Sequence, residues 1–249
     1  MKKLSMLVVF LVFVSSVFVF AGEWGKLQAS GVVDVAIAEN GHIAIANKSG
    51  ELWISKDAGK SWTKNAQAAG VARVSLNSNA TILGIVNKSG EFWVSKDMGS
   101  SWLKTKATGV ADASVGRSNS FIVNRSGEVW YTADLDKWTK TTLTKMKLVV
   151  FGGPFLLLVS DAGAVSVADF KNAPSMALRT TQATGAVDID VAPNGHLWVV
   201  NGSGQMWSSP DKGVSWSQEA QAAGVAAVSI CNKYTIIANT SGEVWLKTN

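Results

Sequence analysis

The chain has 249 residues, 47% of them hydrophobic, with a formal charge of +5 and a single cysteine. That is ample apolar material for one core and too little chain for two ordinary domains unless it repeats. No Lys/Arg run exceeds two residues, which leaves nucleic-acid binding without support, and Cys231 alone excludes an intrachain disulfide.

The N-terminus, MKKLSMLVVFLVFVSSVFVFAG, sets Lys2 and Lys3 before an apolar run from Leu4 to Phe20 and ends in the small-residue pattern Val19-Phe20-Ala21. It reads as a signal peptide, 1–21, cleaved near Ala21; the alternative is an uncleaved anchor, because the run approaches the ~20 residues that cross a bilayer. Cleavage lowers the charge from +5 to +3. The remainder, 22–249, has no second long apolar run and is expected to be secreted, extracellular or at the cell surface, without spanning a membrane.

After EWGKLQAS at 23–30, the chain divides into six units that start at Gly31, Gly70, Gly109, Lys145, Gly185 and Gly224, spaced 39, 39, 36, 40 and 39 residues. In the first unit Val33, Val35 and Ile37 alternate as a strand does, as Val187, Ile189 and Val191 do in the fifth. A turn at Asn40-Gly41, a strand HIAIAN, a turn at Ser49-Gly50, a strand ELWIS, a turn KDAGK and a last strand from Trp62 follow. Four short strands in about 40 residues is the signature of a propeller blade, and the prolines and glycines leave no stretch that demands a helix. The fourth unit keeps the length but loses both tryptophans. The sixth ends at SGEVWLKTN, three strands in, while EWGKLQAS matches SWTKNAQAA with Trp24 in the place of Trp62. The fold expected is all-β: a six-bladed β-propeller of four-stranded blades, the last completed by the N-terminal strand.

The motif Ser-x-Asp-x-Gly-x-Ser-Trp recurs around Asp57, Asp97 and Asp211, and the third unit shortens it to TADLDKW. It resembles the Asp-box of sialidase-type propellers, and physically it is a turn clamp, with Asp accepting backbone N–H groups, Gly at positive φ and Trp packed beneath. Sialidase activity, as that family implies it, needs an arginine triad, a Tyr nucleophile with a Glu, and an acid. The chain offers Arg73, Arg117, Arg125 and Arg179 with Tyr131 and Tyr234, none in a recognisable motif. His42 and His196 occupy one turn position in two blades, too far apart for a shared metal or a triad. No catalytic residue, metal site or cofactor is assigned; Cys231, in AVSICNKY, reads as a core residue.

Over all six units the chain is similar to the tectonins, six-bladed lectin propellers, most clearly in VDIDVAPNGHLWVVNGSGQMW at 187–207 and VDVAIAENGHIAIANKSGELW at 33–53. That resemblance implies recognition of glycans on microbial or cell surfaces. With strands running outward from the axis, the Asp-box turn shares one face with the AENGH turn, and NKSGE shares the other with the blade-to-blade link. The second face carries the candidate carbohydrate sites: Asn47, Ser49, Glu51 and Trp53; Asn87, Ser89, Glu91 and Trp93; Asn124, Ser126, Glu128 and Trp130; Asn201, Ser203, Gln205 and Trp207; Asn239, Ser241, Glu243 and Trp245. Amide, hydroxyl and carboxylate beside an aromatic plane suit a sugar, which has hydroxyls on its rim and C–H groups on its faces.

The same residues have plainer readings. Asn-x-Ser-Gly is an ordinary turn, and Trp two residues into a strand is commonly core. All five turns are also Asn-x-Ser sequons, with Asn79-Ala80-Thr81 a sixth, open to glycosylation. One carboxylate per turn falls short of a calcium cage. The function expected is a secreted multivalent lectin, near-copied weak sites gaining avidity on a glycan-rich surface; the alternatives are a protein-interaction scaffold and, third, a sialidase-like glycosidase.

Overall fold

The computed structural model describes residues 22–152 and 155–249, so the expected leader at 1–21 lies outside the described residues. A short strand β1 (Gly25–Lys26) precedes the first blade, which is β2 (Val32–Ile37), β3 (Ile43–Asn47), β4 (Glu51–Ser55) and β5 (Thr63–Ala69). Blade 2 is β6 (Val71–Leu76), β7 (Leu83–Asn87), β8 (Phe92–Ser95) and β9 (Leu103–Lys104); blade 3 is β10 (Val110–Val115), β11 (Ser120–Asn124), β12 (Val129–Thr132) and β13 (Thr139–Lys140). Blade 4 is β14 (Met146–Gly152), β15 (Phe155–Ser160), β16 (Val165–Asp169) and β17 (Leu178–Thr180). Blade 5 is β18 (Ala186–Val191), β19 (Leu197–Asn201), β20 (Met206–Ser209) and β21 (Ser217–Gln218). Blade 6 joins β22 (Val225–Ile230), β23 (Tyr234–Asn239) and β24 (Val244–Thr248) to β1.

Each blade is a four-stranded antiparallel sheet, and the first strands touch in the cycle β2, β6, β10, β14, β18, β22 and back to β2. This is a six-bladed β-propeller. Its seam closes as the sequence required, with Gly25 opposite Leu246 and Lys26 opposite Trp245 on β24. A 3-10 turn at Phe170–Asn172 is an addition the sequence reading did not contain.

One detail of the strand pattern is corrected. Val33 and Val187 do not share the buried face of Val35 and Ile189; they are 37% and 40% exposed, while Asp34 and Asp188 are buried. The cause is a register shift between the first and third residues of every first strand, Val32/Asp34 in blade 1 and Ala186/Asp188 in blade 5. A bulge inserts one unpaired residue and reverses the alternation on either side of it.

The core is distributed over six apolar clusters, one at each blade junction. A single blade has nothing to bury its faces against, so neighbours supply the packing. The third- and fourth-strand tryptophans of a blade enter the junction with the preceding blade: Trp53 and Trp62 between blades 6 and 1, Trp93 and Trp102 between 1 and 2, Trp130 and Trp138 between 2 and 3, Trp245 and Trp24 between 5 and 6. Blade 4, without tryptophan, packs on blade 3 through Phe121, Tyr131, Phe151 and Phe170, with Phe121 and Phe151 ring centroids 5.0 Å apart.

The residue that opens each unit takes a positive φ in all six, from 61° at Lys145 to 67° at Gly185. The Asn-x-Ser-Gly glycine lies on top of it: a Cβ on Gly50 would stand 2.8 Å from Gly70 Cα. Only glycine permits that approach, which lets Val71 N–H donate to Gly50 O at 2.9 Å and tie blade 2 to the turn of blade 1.

Candidate functional site

The candidate sugar-binding turns lie on the face that carries the blade-to-blade links, because Lys48 N–H donates to Gly31 O and Val71 N–H to Gly50 O. On the opposite face the Asp-box meets the AENGH turn through Ala58 N–H and Gly41 O, 3.1 Å. The face assignment made from strand order therefore describes the ring.

Within each turn the Asn side chain is engaged on both polar atoms. Asn47 Oδ1 accepts Glu51 N–H at 2.9 Å, and Asn47 Nδ2 donates to Glu51 Oε2 at 2.8 Å. Asn87, Asn124 and Asn239 repeat the pair with Glu91, Glu128 and Glu243, and Asn201 does so with Gln205. This is what turn structure requires, and the Nδ2 that glycosylation would consume already has a partner. Ser49, Ser89, Ser126, Ser203 and Ser241 are exposed at the turn tips.

Glu and Trp are joined by a residue the sequence reading missed. Glu51 accepts from the Trp53 indole at 3.1 Å and pairs with Lys64, which faces Trp53 across β4 and β5. Lys104, Lys140 and Lys26 stand opposite Trp93, Trp130 and Trp245 and pair with Glu91, Glu128 and Glu243 in the same way. In those three blades the ammonium also lies over the indole, 5.6, 6.0 and 5.9 Å from its centroid. The lysine's hydrogen bond, with those of Asn47 and Trp53, holds the Glu51 carboxyl at about 2. Comparing the units position by position would have exposed the pattern in blades 1, 2 and 3, where the lysine follows its tryptophan at a nearly constant interval.

Blade 5 breaks it. Gln205 stands for Glu, Gln218 faces Trp207 where the others have Lys, and Gly202 stands where blades 1, 2 and 3 have Lys48, Lys88 and Arg125. Here Trp207 borders a cleft of about 410 Å³ at the junction with blade 4, lined also by Gln182, Ala183, Thr184, Val199, Asn201 and Trp216. The Trp216 indole N–H is buried there without an acceptor, as are those of Trp62, Trp102, Trp138 and Trp24 at equivalent positions. Blade 4 has no candidate set; Ser166 and Thr180 occupy the Trp and Lys positions and hydrogen-bond at 3.2 Å.

The Asp-box turns are clamps. Ser55 Oγ donates to Asp57 Oδ1 and accepts Gly59 N–H, both at 2.8 Å, while Asp57 accepts Ser61 N–H and Oγ at 2.8 and 2.6 Å. Asp97 and Asp211 repeat this, and Asp134 does so in shortened form with Thr132. Hydrogen bonds from the Ser side chain and backbone hold Asp57 and Asp97 at about 2. Positive φ is taken by Gly59 and also by the residue before it, Ala58 at 57°.

The axis carries a second polar region that the sequence reading passed over. First strands of all six blades line a cavity of about 340 Å³. Asp34, Asp112 and Asp188, at equivalent positions of blades 1, 3 and 5, line it, each accepting a backbone N–H from the next blade, Val74, Val149 and Val228, at 2.7 to 2.8 Å. Arg73 sits among them, 3.7 Å from Asp34 and 4.0 Å from Asp188. Burial, opposed by Arg73, raises Asp34 to about 6; burial raises Asp190 to about 6 and Asp188 and Asp112 above the usual range. An Asp three residues after the unit-opening residue, in an otherwise apolar strand, was the signal available. Cys231 also lines this wall; it is buried, and burial pushes its thiol up to about 12. His42 and His196 remain in separate blades, their backbone N–H groups donating to Asn40 and Asn194.

No family model and no curated protein sequence matches this chain. Solved propellers resemble it in shape. A structure of YCF48 bound to D1 peptide superposes with a TM-score of 0.64 over 91% of this chain and 94% of that one, at 13% identity. The β-propeller domain of Cps50 (Swd1) from Myceliophteria thermophila gives 0.67 over 91% and 100%, at 8% identity. The GH74 enzyme of Niastella koreensis gives 0.60 at 16% identity, over 88% of this chain and 37% of that one. At these identities the likeness establishes the fold alone.

Proposed function

We propose that this protein is a secreted carbohydrate-binding propeller, a lectin of the tectonin type, that meets glycans on microbial or cell surfaces through the Asn-x-Ser-Gly face without chemical turnover. The observation that carries it is the recurrence, at one junction position in five blades, of an indole beside an Asn-ordered turn on a single face. An aromatic plane flanked by amides recognises a pyranose by stacking and hydroxyl pairing. The cleft beside Trp207 has no carboxylate among its lining residues, whereas glycoside hydrolysis ordinarily uses two. A glycan array probed with the purified protein tests the reading. Binding confined to one glycan class supports it; an array without a single positive overturns it.

A protein-binding scaffold is the second reading, favoured by a basic arc on the same face. Arg125 reaches the Lys88 carbonyl at 2.9 Å and Lys88 the Lys48 carbonyl at 3.4 Å, aligning three cations on successive blades. Replacing all three by Ala would abolish capture of an acidic peptide partner and leave glycan binding intact; the reverse pattern would exclude this reading.

A further inference from the structure

We infer that the cleft between blades 4 and 5 is the ring's open sugar subsite, specific for a neutral pyranose, and that the equivalent positions of blades 1, 2, 3 and 6 are closed by their own side chains. The inference rests on the carbohydrate-binding reading and narrows it from five near-equivalent sites to one.

Stacking a sugar on an indole requires a free ring face, and a hydroxyl pairs only with polar atoms that are not already matched. In blades 2, 3 and 6 the lysine ammonium lies over the ring, and in blades 1, 2, 3 and 6 it holds the glutamate in an ion pair. A sugar entering blade 2, 3 or 6 would have to displace an ammonium from both an aromatic face and a carboxylate, and in blade 1 from the carboxylate. Four closed copies are therefore framework: a Trp capped and oriented by a Glu–Lys pair at a blade junction.

Blade 5 has exchanged every charged member of that arrangement. Gln205 replaces the glutamate, Gln218 the lysine opposite Trp207, and Gly202 the long cation at the turn tip. Either glutamine alone would leave its partner's charge unpaired, whereas the two together leave a neutral pair of side chains beside Trp207. Asn201 and Gln205 still bond to each other at 2.9 Å, so the turn is held as in the other blades. Gln205 Oε1 accepts from Asn201 and not from the Trp207 indole, whereas Glu51 Oε2 accepts from both Asn47 and Trp53. Gln182 and Thr184 approach from the blade-to-blade link, and Trp216 forms part of the floor. Two indoles with amide and hydroxyl groups and no formal charge match a pyranose that has C–H faces and vicinal hydroxyls and no carboxylate, sulfate or phosphate. The cleft's volume of about 410 Å³ falls within the range of small-ligand pockets.

The test is calorimetric titration of the purified protein with neutral gluco-, galacto-, manno- and fuco-configured oligosaccharides, beside sialylated, uronic-acid and sulfated ones. Two variants accompany it: Trp207→Ala, and the triple Gly202→Lys/Gln205→Glu/Gln218→Lys, which writes the blade 1 residues into blade 5 and so uses an arrangement this fold already accommodates. The expected result is a neutral ligand bound at one site per chain, weakened at least tenfold in both variants with thermal unfolding of the triple variant unchanged. Neutral binding that survives the triple variant, a stoichiometry of four or five, or binding of anionic glycans alone overturns the inference and leaves the carbohydrate reading standing. Absence of binding by the wild type to every oligosaccharide overturns both.

Discussion

Arg73 lies among three buried carboxylates on the axis, Asp34, Asp112 and Asp188. Its replacement by Met would leave Asp34 and Asp188 without a counter-charge, and a loss of about 3 kcal/mol is expected in urea unfolding at pH 8. The loss should shrink at pH 5, where the Asp34 carboxyl, raised to about 6, is largely protonated. Asp190 gives a cleaner pH signature. Its native value of about 6 exceeds the 3.8 of a free side chain, so the folded ring binds that proton more tightly than the unfolded chain. The resulting stabilisation is complete below about pH 4 and is lost as pH rises through about 6. Asp190→Asn keeps an acceptor for Ile230 N–H and removes the titration, so the melting temperature of the variant should depend less on pH across that window than the wild type's. Asp57 and Asp97, held at about 2, act in the opposite sense: their contribution is present above about pH 4 and is lost as pH falls towards 2.

At the scale of the element, the repeated turns divide their work between two kinds of clamp. In the Asp-box, Ser55 is 1% exposed and accepts the Gly59 N–H that otherwise has no route to water. Ser55→Ala leaves that donor unmatched, and a destabilisation of about 1–3 kcal/mol is expected. Differential scanning calorimetry would read it as a fall of roughly 2–4 °C per kcal/mol. In the Asn-x-Ser-Gly turns, Asn47→Ala removes two hydrogen bonds that order Glu51, yet touches no residue of the blade 5 cleft. It should lower the melting temperature and leave the affinity for a neutral glycan unchanged, whereas a multivalent site would lose avidity.

For the whole molecule, closure is the decisive event. β1 supplies the fourth strand of blade 6, with Trp24 packed into the junction of blades 5 and 6 beneath Lys247 and Gly22 N–H reaching Thr248 O at 3.1 Å. Deleting residues 22–30 removes a junction tryptophan, a loss of about 3–5 kcal/mol, or on the order of 10 °C in melting temperature. It also bares the edge of β24, and self-association should appear in size-exclusion chromatography. A truncated chain that remains monomeric with an unchanged melting curve would show that the seam contributes little.

The sequence by itself determined the number of blades, their strand order, the closure by EWGKLQAS and the two faces, because each is written as a repeat: Gly at the unit start, Asn-x-Ser-Gly, Ser-x-Asp-x-Gly and the paired tryptophans. It also named Asn47 and its copies, although turn and ligand roles use the same residue types and a single chain of letters does not separate them. Three things were decided only by the tertiary structure. The bulge that turns Val33 outward and Asp34 inward depends on pairing with β3, so local alternation misplaced it. The axial carboxylates meet Arg73 only when six first strands converge, and Asp34 and Asp188 lie four blades apart in the chain. The lysine that pairs with Glu51 beside Trp53, and its exchange for Gln218 beside Trp207, became visible when β4 and β5, and β20 and β21, set those residues opposite each other. Periodicity records what a residue does for its own blade, while burial, charge pairing and an open cleft belong to the space between blades, which exists only after the ring has closed.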